Sequence, residues 1–575
     1  MMNKKIPYAV ANFEEIKGGK HIFIDKTRYI TELEKYKIPV FLRPRRFGKS
    51  LWCSLLECYY DINRKDKFDE LFNDLYIGQN PTPEKNKYLV MRLDFSEIEA
   101  RPDTKFIEAR FLVVFKSAIS EFLAAYKDYF KDIHFNDEAT ASDILITVLS
   151  YIKSNNLPPV YLIIDEYDNF TNQLITAHLD EFYYELTTGD SFLRSWFKVI
   201  KAGIGKRTIE RIFITGILPI TIDDLTSSFN IAEIITLEER TLGMLGFTQD
   251  EVDGYLEEVY VSYNLDKANM PEVKQILIEN YNGYKFLPDS NERFYNSTIL
   301  TYFLKNFALG NGKIPREIID DNLRIDVSWI RRLTQKEENA KEVLETLLLE
   351  KELPYDNDMI TSKFDMNHFF EKDFYPLSLF YLGMLTFKNE FKMQFPNLTM
   401  KKIFTEYFNI IEDIEVSKGY TGIFERFITD LDIEALFKGY WDVYVKQLPA
   451  QVFDKINENF YRITFYELCT RYLSHAFNFA IETNYPSGRS DWEMLGKFHT
   501  KYKHQKFLVE FKHYSNKEGN KLKILRFKKP KKEDIEQVKG YEQDILRQFP
   551  YFKIRSYVIY IVGNKGFRCF EVESR

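Results

Sequence analysis

RPRRFGKS, residues 43–50, follows the apolar run PVFL (39–42) and leads into SLWCSLLECYYDI (50–62), whose apolar residues recur at helical spacing. The reading is strand, loop, helix. The end of the loop matches the last three positions of G-x-x-x-x-G-K-[ST], and Arg43 stands where the first glycine of that pattern belongs. Each matching residue type suits a phosphate. Gly48 lets backbone N–H groups approach the oxygens, Lys49 reaches the β- and γ-phosphates, and Ser50 ligates Mg²⁺ at the start of the helix. Arg45 and Arg46 have two readings, neutralising phosphate charge or lying solvated in the loop. Phe47 completes the candidate nucleotide-contacting loop.

A second stretch sharpens this reading. VYLIIDEYDNF (160–170) is a buried-strand pattern ending in Asp165 and Glu166, so both carboxylates emerge at the strand's C-terminal edge, beside the loop. In a phosphate site Asp165 holds the metal through water and Glu166 polarises the attacking water. The plainer alternative is that the pair caps the following helix. RIFITGI (211–217) ends in Thr215, which is either a sensor between carboxylates and γ-phosphate or a threonine satisfying a strand-end backbone group.

Further strand-length runs are YLVMRLDF (88–95) and EIITL (233–237), and the intervening segments read mostly as helices. Alternation of this kind predicts a parallel sheet covered by helices on both faces. From GFTQDEVDGYLEEV (246–259) to about residue 450 the pattern is mainly helical, with Thr248 and Glu251 spaced as a capping box. The expected organisation is a P-loop domain at 1–245, a helical lid at 246–320, a helical middle region at 321–454 and an α/β domain at 455–575.

Composition bounds the rest. The 575 residues exceed one ordinary core. Hydrophobic residues make up 45% and aromatics 16%, so aromatic-rich cores are expected. The cysteines are Cys53, Cys58, Cys469 and Cys569, without C-x-x-C or zinc spacing, and read as reduced packing residues. No apolar run reaches about 18 residues and the N-terminus lacks a signal-peptide stretch, so a cytoplasmic location without a membrane segment is expected. The net charge of −7 conceals a basic segment, residues 501–539, with 13 Lys and Arg against 5 Asp and Glu.

The C-terminal domain has its own chemistry. A helix (NFYRITFYELCTRYLSHAF) precedes three strand-like runs (FAIETNY, SDWEML, FLVEFKH), a charged helix (KKEDIEQVKGYEQDILRQF) and a final strand (IRSYVIYIVG). Glu510 and Lys512 share one strand face by period-2 alternation, and Asp491 lies shortly before them. A phosphodiesterase needs carboxylates for Mg²⁺, here Asp491 and Glu510, and a lysine to orient water or balance charge on phosphorus. The alternative is a half-buried strand carrying a Glu–Lys pair. KEGNKLKILRFKKPKK (517–532) is either a track for DNA or RNA phosphates or a solvated charge run.

These residues carry a family likeness. HIFIDKTRYITELE (21–34), VFLRPRRFGKSLWCSLLECYY (40–60), YLIIDEYDNF (161–170), FITGILPI (213–220), LGFTQDEV (245–252) and YNGYKF with FYNSTILTYFL (281–304) resemble the AAA-ATPase-like family, commonly coupled to a C-terminal PD-(D/E)XK nuclease-like domain. The resemblance implies an additional-strand P-loop NTPase, with the sensor strand between the two phosphate-site strands, and a restriction-endonuclease-like α/β domain. It implies ATP and Mg²⁺ as cofactors, arginine as a usual replacement for the first glycine, and Asp25, Lys26 and Thr27 lining the nucleotide pocket. In the C-terminal domain it implies Asp491, Glu510 and Lys512 as the catalytic set, after the Gly488-Arg489 turn, with Gln537 and Tyr541 on the next helix. Glu467 and Glu482 compete for the distal acidic role. The function expected is an ATPase controlling a Mg²⁺-dependent nuclease on DNA or RNA. The rival is a signalling or defence switch, or a scaffold, whose nuclease-like domain only binds nucleic acid or a protein. Oligomerisation is open.

Overall fold

The computed structural model describes residues 4–131, 133–225, 229–319, 329, 332, 338–361 and 364–573, so the expected boundary at 320/321 lies outside the described residues. The N-terminal sheet comprises β1 (Pro39–Leu42), β2 (Leu89–Asp94), β3 (Val160–Asp165), β4 (Ile209–Gly216) and β5 (Glu233–Ile234), ordered β2-β3-β4-β1-β5 with every pairing parallel. The P-loop strand β1 and the carboxylate strand β3 are therefore separated by β4, the additional-strand arrangement. β1 and β3 are buried throughout, as expected of strands covered on both faces. Only Glu233 and Ile234 of EIITL form a strand; Thr236 instead turns its hydroxyl to accept the Leu42 N–H at 2.8 Å.

Helix α1 (Lys49–Tyr60) leaves the P-loop and buries Trp52, Cys53, Leu55, Leu56, Tyr59 and Tyr60. Three helices follow the sheet: α2 (Gln249–Ser262), α3 (Met270–Tyr281) and α4 (Ser297–Leu309). Thr248 and Glu251 form the expected reciprocal capping box at the start of α2. The middle region holds α5 (Glu338–Glu350) and α6 (Leu398–Ile411). It also holds a three-stranded antiparallel sheet of β6 (Glu352–Pro354), β7 (Thr386–Asn389) and β8 (Lys392–Gln394), ordered β6-β8-β7. Strands of three or four residues are too short to register as a period.

In the C-terminal domain α7 (Glu458–Leu473) precedes a mixed sheet of β9 (Phe477–Ile481), β12 (Trp492–Gly496), β13 (Gln505–Tyr514), β14 (Lys553–Val562) and β15 (Gly566–Val572). The small hairpin of β10 (Asn484–Tyr485) and β11 (Gly488–Arg489) stands apart, and α8 (Lys532–Gln548) covers one sheet face. Only β13–β14 pair in parallel, and α8 makes the crossover between them. β15, not foreseen in the sequence, pairs antiparallel with β14; its run GFRCFEV mixes charge into the alternation.

The alternation along β14 distributes the core. Tyr557, Ile559 and Ile561 join a continuous core shared with the N-terminal domain and middle region, while Val558, Tyr560 and Val562 close a small cluster on the other face. Packing is thus contiguous across the expected domain boundaries. The four cysteines are free and buried. Among the described residues no helix is long and apolar enough to cross a membrane.

Candidate functional site

The two five-stranded sheets each carry one carboxylate centre. At the first, Gly48 has φ 92°, a conformation that L side chains rarely adopt, which is why glycine stands there at the entry to α1. Lys49 is buried and its Nζ donates to the carbonyls of Arg43 and Pro44 at 3.1 and 3.3 Å, lying 3.5 Å from Glu166 Oε1. The Ser50 hydroxyl lies on the side of the Asp165 carboxylate and favours its ionised form. Asp165 is fully buried, Arg92 Nη2 from β2 lies 3.4 Å from its Oδ2, and its Oδ1 has no partner. Burial, then Glu166 and Asp94, raise its proton affinity above the ordinary carboxylate range. A buried carboxylate with an orphan oxygen beside a serine hydroxyl is a donor set that fits Mg²⁺.

Gly48, Lys49, Ser50 and Glu166 border a cavity of about 290 Å³, whose wall does not include Asp165. Arg46, Phe47, Gly48, Lys49, Ser50 and Glu166 form its polar end. Pro7, Val10, Ile22, Ile24, Leu51 and Leu55 supply apolar wall. Tyr255 of α2 also lines it, and the Tyr255 hydroxyl is buried without a partner. Phe47 packs edge-on against Tyr284 and Phe286, tying the loop to the segment after α3.

Several expectations need correction here. Of Asp25, Lys26 and Thr27 only Lys26 lines the cavity, ion-paired to Glu251 at 2.6 Å. The Asp25 carboxylate instead accepts the N–H groups of Thr27 and Tyr76 at 2.8 and 2.7 Å, and Thr27 Oγ1 accepts the Ile77 N–H at 3.1 Å. Both side chains are spent holding the chain at residue 76. Thr215 donates its hydroxyl to Phe41 O at 2.7 Å, the strand-end role, and does not face the cavity. Arg45 is absent from the cavity wall, whereas Arg46 lines it.

Arg43 explains itself only in three dimensions. Its guanidinium is buried between the Phe41 and Phe286 rings, 4.3 and 3.8 Å from their centroids, and donates to the carbonyls of Leu42, Thr236 and Leu242 at 3.1, 2.9 and 3.0 Å. Burial lowers it to about 9, so it stays charged at neutral pH. Arg43 is a strut behind the loop. Asp168, also unanticipated, is fully buried and accepts the N–H groups of Ile217 and Leu218 at 3.1 and 2.7 Å, bracing the ends of β3 and β4 together. Burial and then Glu166 push it up to about 6.

At the second centre, Trp492 opposite Val509 brings Asp491 beside Glu510 and Phe511. Asp491 Oδ2 accepts the Phe511 N–H at 2.8 Å, and its Oδ1 is ion-paired with Arg462 of α7. Glu510 Oε1 lies 2.9 Å from Lys512 Nζ and accepts Gln537 Nε2 at 2.8 Å; Glu510 Oε2 is buried without a partner. Gln537 also reaches Tyr541, whose hydroxyl donates to Arg489 O at 2.8 Å, so both helix residues meet the site. Burial and then Asp491 raise Glu510 to about 7, because two adjacent carboxylates resist ionising together. That repulsion and the orphan oxygen fit a divalent cation. Among the described residues no cluster of three or more His, Cys, Asp or Glu stands ready to hold a metal, so water or phosphate oxygens would complete either shell.

Neither distal candidate faces this pair. Glu467 is fully buried against Arg471 and accepts Asn409 Nδ2 at 3.4 Å. Glu482 is surrounded by Lys351, Lys401, Arg462 and Arg489. The acidic neighbour is Glu458, at the first turn of α7, whose proton affinity is raised by burial and then by Asp491. Its signal in the sequence is slight, an acidic residue just after the Asn457 cap.

Family models match both ends of the chain. One described as predicted AAA-ATPase matches residues 7–226, and one described as the PD-(D/E)XK nuclease superfamily matches residues 456–571. No curated protein matches. Among solved structures, the Walker-type ATPase PABY2304 of Pyrococcus abyssi is similar at 13% identity, over 66% of this chain and 94% of that one, with a TM-score of 0.38. The phosphate-loop centre falls within the first match and the Asp491–Glu510 centre within the second: the chain joins an AAA-ATPase-like domain to a C-terminal domain of the PD-(D/E)XK nuclease superfamily.

Proposed function

We propose that the chain binds and hydrolyses ATP at the Lys49–Ser50 loop, and that this cycle controls a metal-dependent nuclease centre at Asp491, Glu510 and Lys512 acting on DNA or RNA. The observation that carries the coupling is α4. Just before and at its start, Asn296 Nδ2 and Thr298 N donate to the P-loop carbonyls of Arg45 and Arg46, both at 3.0 Å. Just past its end, the carbonyls of Gly312 and Pro315 meet His499 Nε2 and Lys497 Nζ, both at 3.2 Å, from the loop between β12 and β13. A helix of 13 residues, roughly 20 Å long, thus has one end on the phosphate loop and the other on the nuclease-like sheet. Loop movement on nucleotide binding is transmitted along it.

Within the first site, the apolar walls bury the base, the Tyr255 hydroxyl reads its edge, and Lys49 turns its donors from Arg43, Pro44 and Glu166 to the phosphates. Glu166, released from Lys49, orients the attacking water. Ser50 and Asp165 would hold Mg²⁺, which when bound offsets charge on the phosphates. In the second site Asp491 and Glu510 would hold a divalent cation, Glu458 and Lys512 position water, and Gln537 fixes Glu510. Nuclease assays of the full chain with and without ATP, repeated with Lys49→Ala, test the proposal. Cleavage lost with Glu510→Ala but indifferent to ATP and to Lys49→Ala would leave a nuclease without ATP control.

One observation favours a second reading. Asp491 is already engaged by Arg462 and the Phe511 N–H, which suits a domain that binds nucleic acid or a protein without cutting. Calorimetric titration of the full chain with Mn²⁺, compared with Asp491→Ala, separates the two: a binding-only domain takes up no metal at these carboxylates.

A further inference from the structure

The environment of Glu482 is not used by either reaction. Lys401 Nζ lies 3.0 Å from its carboxylate, Arg489 Nη2 at 3.6 Å and Arg462 Nη2 at 3.7 Å, and Lys351 completes the ring with an ion pair. Two of these cations come from the middle region. Lys351 follows the last turn of α5, and the C-terminal carbonyls of that helix, Leu348 and Leu349, accept Asn459 and Asn457 Nδ2 at 2.6 and 2.7 Å from the start of α7. Lys401 lies in the first turn of α6, which packs on α7. Two asparagines thus pin a middle-region helix end to the helix that carries Glu458, and bring its lysine next to the nuclease centre.

The charge does not balance within the cluster. Four cations face Glu482; Arg462 is shared with Asp491 and is also near Glu458, so at most three carboxylates answer four positive charges. Burial opposes the ionisation of Glu482, yet Lys401, Arg462 and Lys351 hold it well below the usual carboxylate range. Burial, and then repulsion from Arg462, lower the Lys351 ammonium. A group of cations in excess of its carboxylates attracts a further anion. It adjoins the catalytic pair directly, since Glu482 N donates to Asp491 O at 3.1 Å. It is also open to solvent on one side, where the Arg489 side chain is 56% exposed.

We propose that Lys351 and Lys401 of the middle region, together with Arg489, form a phosphate subsite beside Asp491 and Glu510 that takes a backbone phosphodiester of a DNA or RNA strand. The subsite rests on the nuclease-like reading of the second centre and assigns the middle region a part in it. Glu482 gathers the cations, and the surplus charge holds the strand next to the reacting phosphate. Interactions of this kind recognise no base and make binding salt-dependent.

The test is equilibrium binding of the full chain to labelled single-stranded DNA and, separately, single-stranded RNA, with Ca²⁺ in place of Mg²⁺, across a salt series. The double variant Lys351→Gln with Lys401→Gln is expected to bind roughly threefold to tenfold more weakly at 0.1 M salt. The slope of log affinity against log salt should flatten by about 0.7 for each phosphate that is no longer neutralised. Glu482→Gln, which removes the opposing negative charge, is expected to bind more tightly; a mere tie between domains predicts no gain. Arg489→Gln, a change at an exposed side chain, should weaken binding in the same direction and guards against misfolding of the double variant. Wild-type binding with unchanged affinity in the lysine and arginine variants, or Glu482→Gln weakened like them, overturns the subsite and leaves the nuclease-like reading standing. Absence of wild-type binding to either nucleic acid overturns the reading and the subsite together.

Discussion

Asp165–Glu166, at the end of β3, and Asp491–Glu510, across β12 and β13, are both carboxylate pairs with a lysine within 3.5 Å, yet the fold builds them in different ways. The first pair is consecutive on one chain. Glu166 takes a left-handed φ of 50°, which parts it from Asp165 so that Asp165 stays buried while Glu166 lines the cavity. The second pair is made by two antiparallel strands, and its members are pressed together hard enough to raise Glu510 to about 7. Neighbours in sequence were separated by backbone conformation; residues distant in sequence were brought together by register. The first arrangement borders an open cavity, and the second sets up a repulsion that a divalent cation would relieve.

The largest effect expected is at the first pair. Lys49→Ala should lower steady-state phosphate release at least a hundredfold, because the only lysine on the phosphate loop is removed. Phosphate release that persists would mean that the turnover belongs elsewhere. Next comes the strut behind the loop. Arg43→Gly, which restores the common glycine, should destabilise the N-terminal domain by about 3 kcal/mol, since three carbonyls lose their donor and two rings face a void. Denaturant unfolding followed by tryptophan fluorescence measures it, and a neutral result would make Arg43 an incidental replacement.

At the second pair, Glu458→Gln should reduce cleavage by about 10- to 100-fold, whereas Glu467→Gln should spare cleavage and cost stability, its carboxylate being engaged by Arg471. The reverse outcome would return the distal role to Glu467. The same pair predicts a pH effect. Glu510 is protonated in the metal-free protein below about pH 7, so Mn²⁺ affinity should rise about tenfold per unit as pH climbs from 5.5 to 6.5 and level off above 7. The folded value lies above the ordinary carboxylate range, so the metal-free protein should lose stability as pH rises from about 4.5 through 7, and metal should restore it. Glu510→Gln should remove both trends, and an unchanged pH profile would exclude Glu510 as their source. The smallest effect belongs to Thr215→Val. It loses one buried hydrogen bond to Phe41 O, worth about 1 kcal/mol, and should keep nearly full ATP turnover. A collapse of turnover would restore Thr215 as a sensor.

The strand-loop-helix at 39–60, the buried VYLIID strand and the parallel α/β class were all legible in the chain, because period and run length are local properties. So was the meeting of Asp491, Glu510 and Lys512, since a motif carries its spacing with it. Contacts between segments were not legible. Asp25 and Thr27 looked like pocket residues until Tyr76 and Ile77 claimed their oxygens, and Glu458 could not be chosen over Glu467 without knowing which turn of α7 faces β13.

The sequence by itself determined the two domain classes, because a phosphate loop and a carboxylate–lysine strand are each written within a few dozen residues. Only the tertiary structure decided how they are joined. α4 reaching from P-loop carbonyls to the nuclease-like sheet, and Lys351 and Lys401 converging on Glu482, depend on packing between segments a hundred or more residues apart in several cases. Local sequence patterns do not encode such distances; close packing of the shared core imposes them.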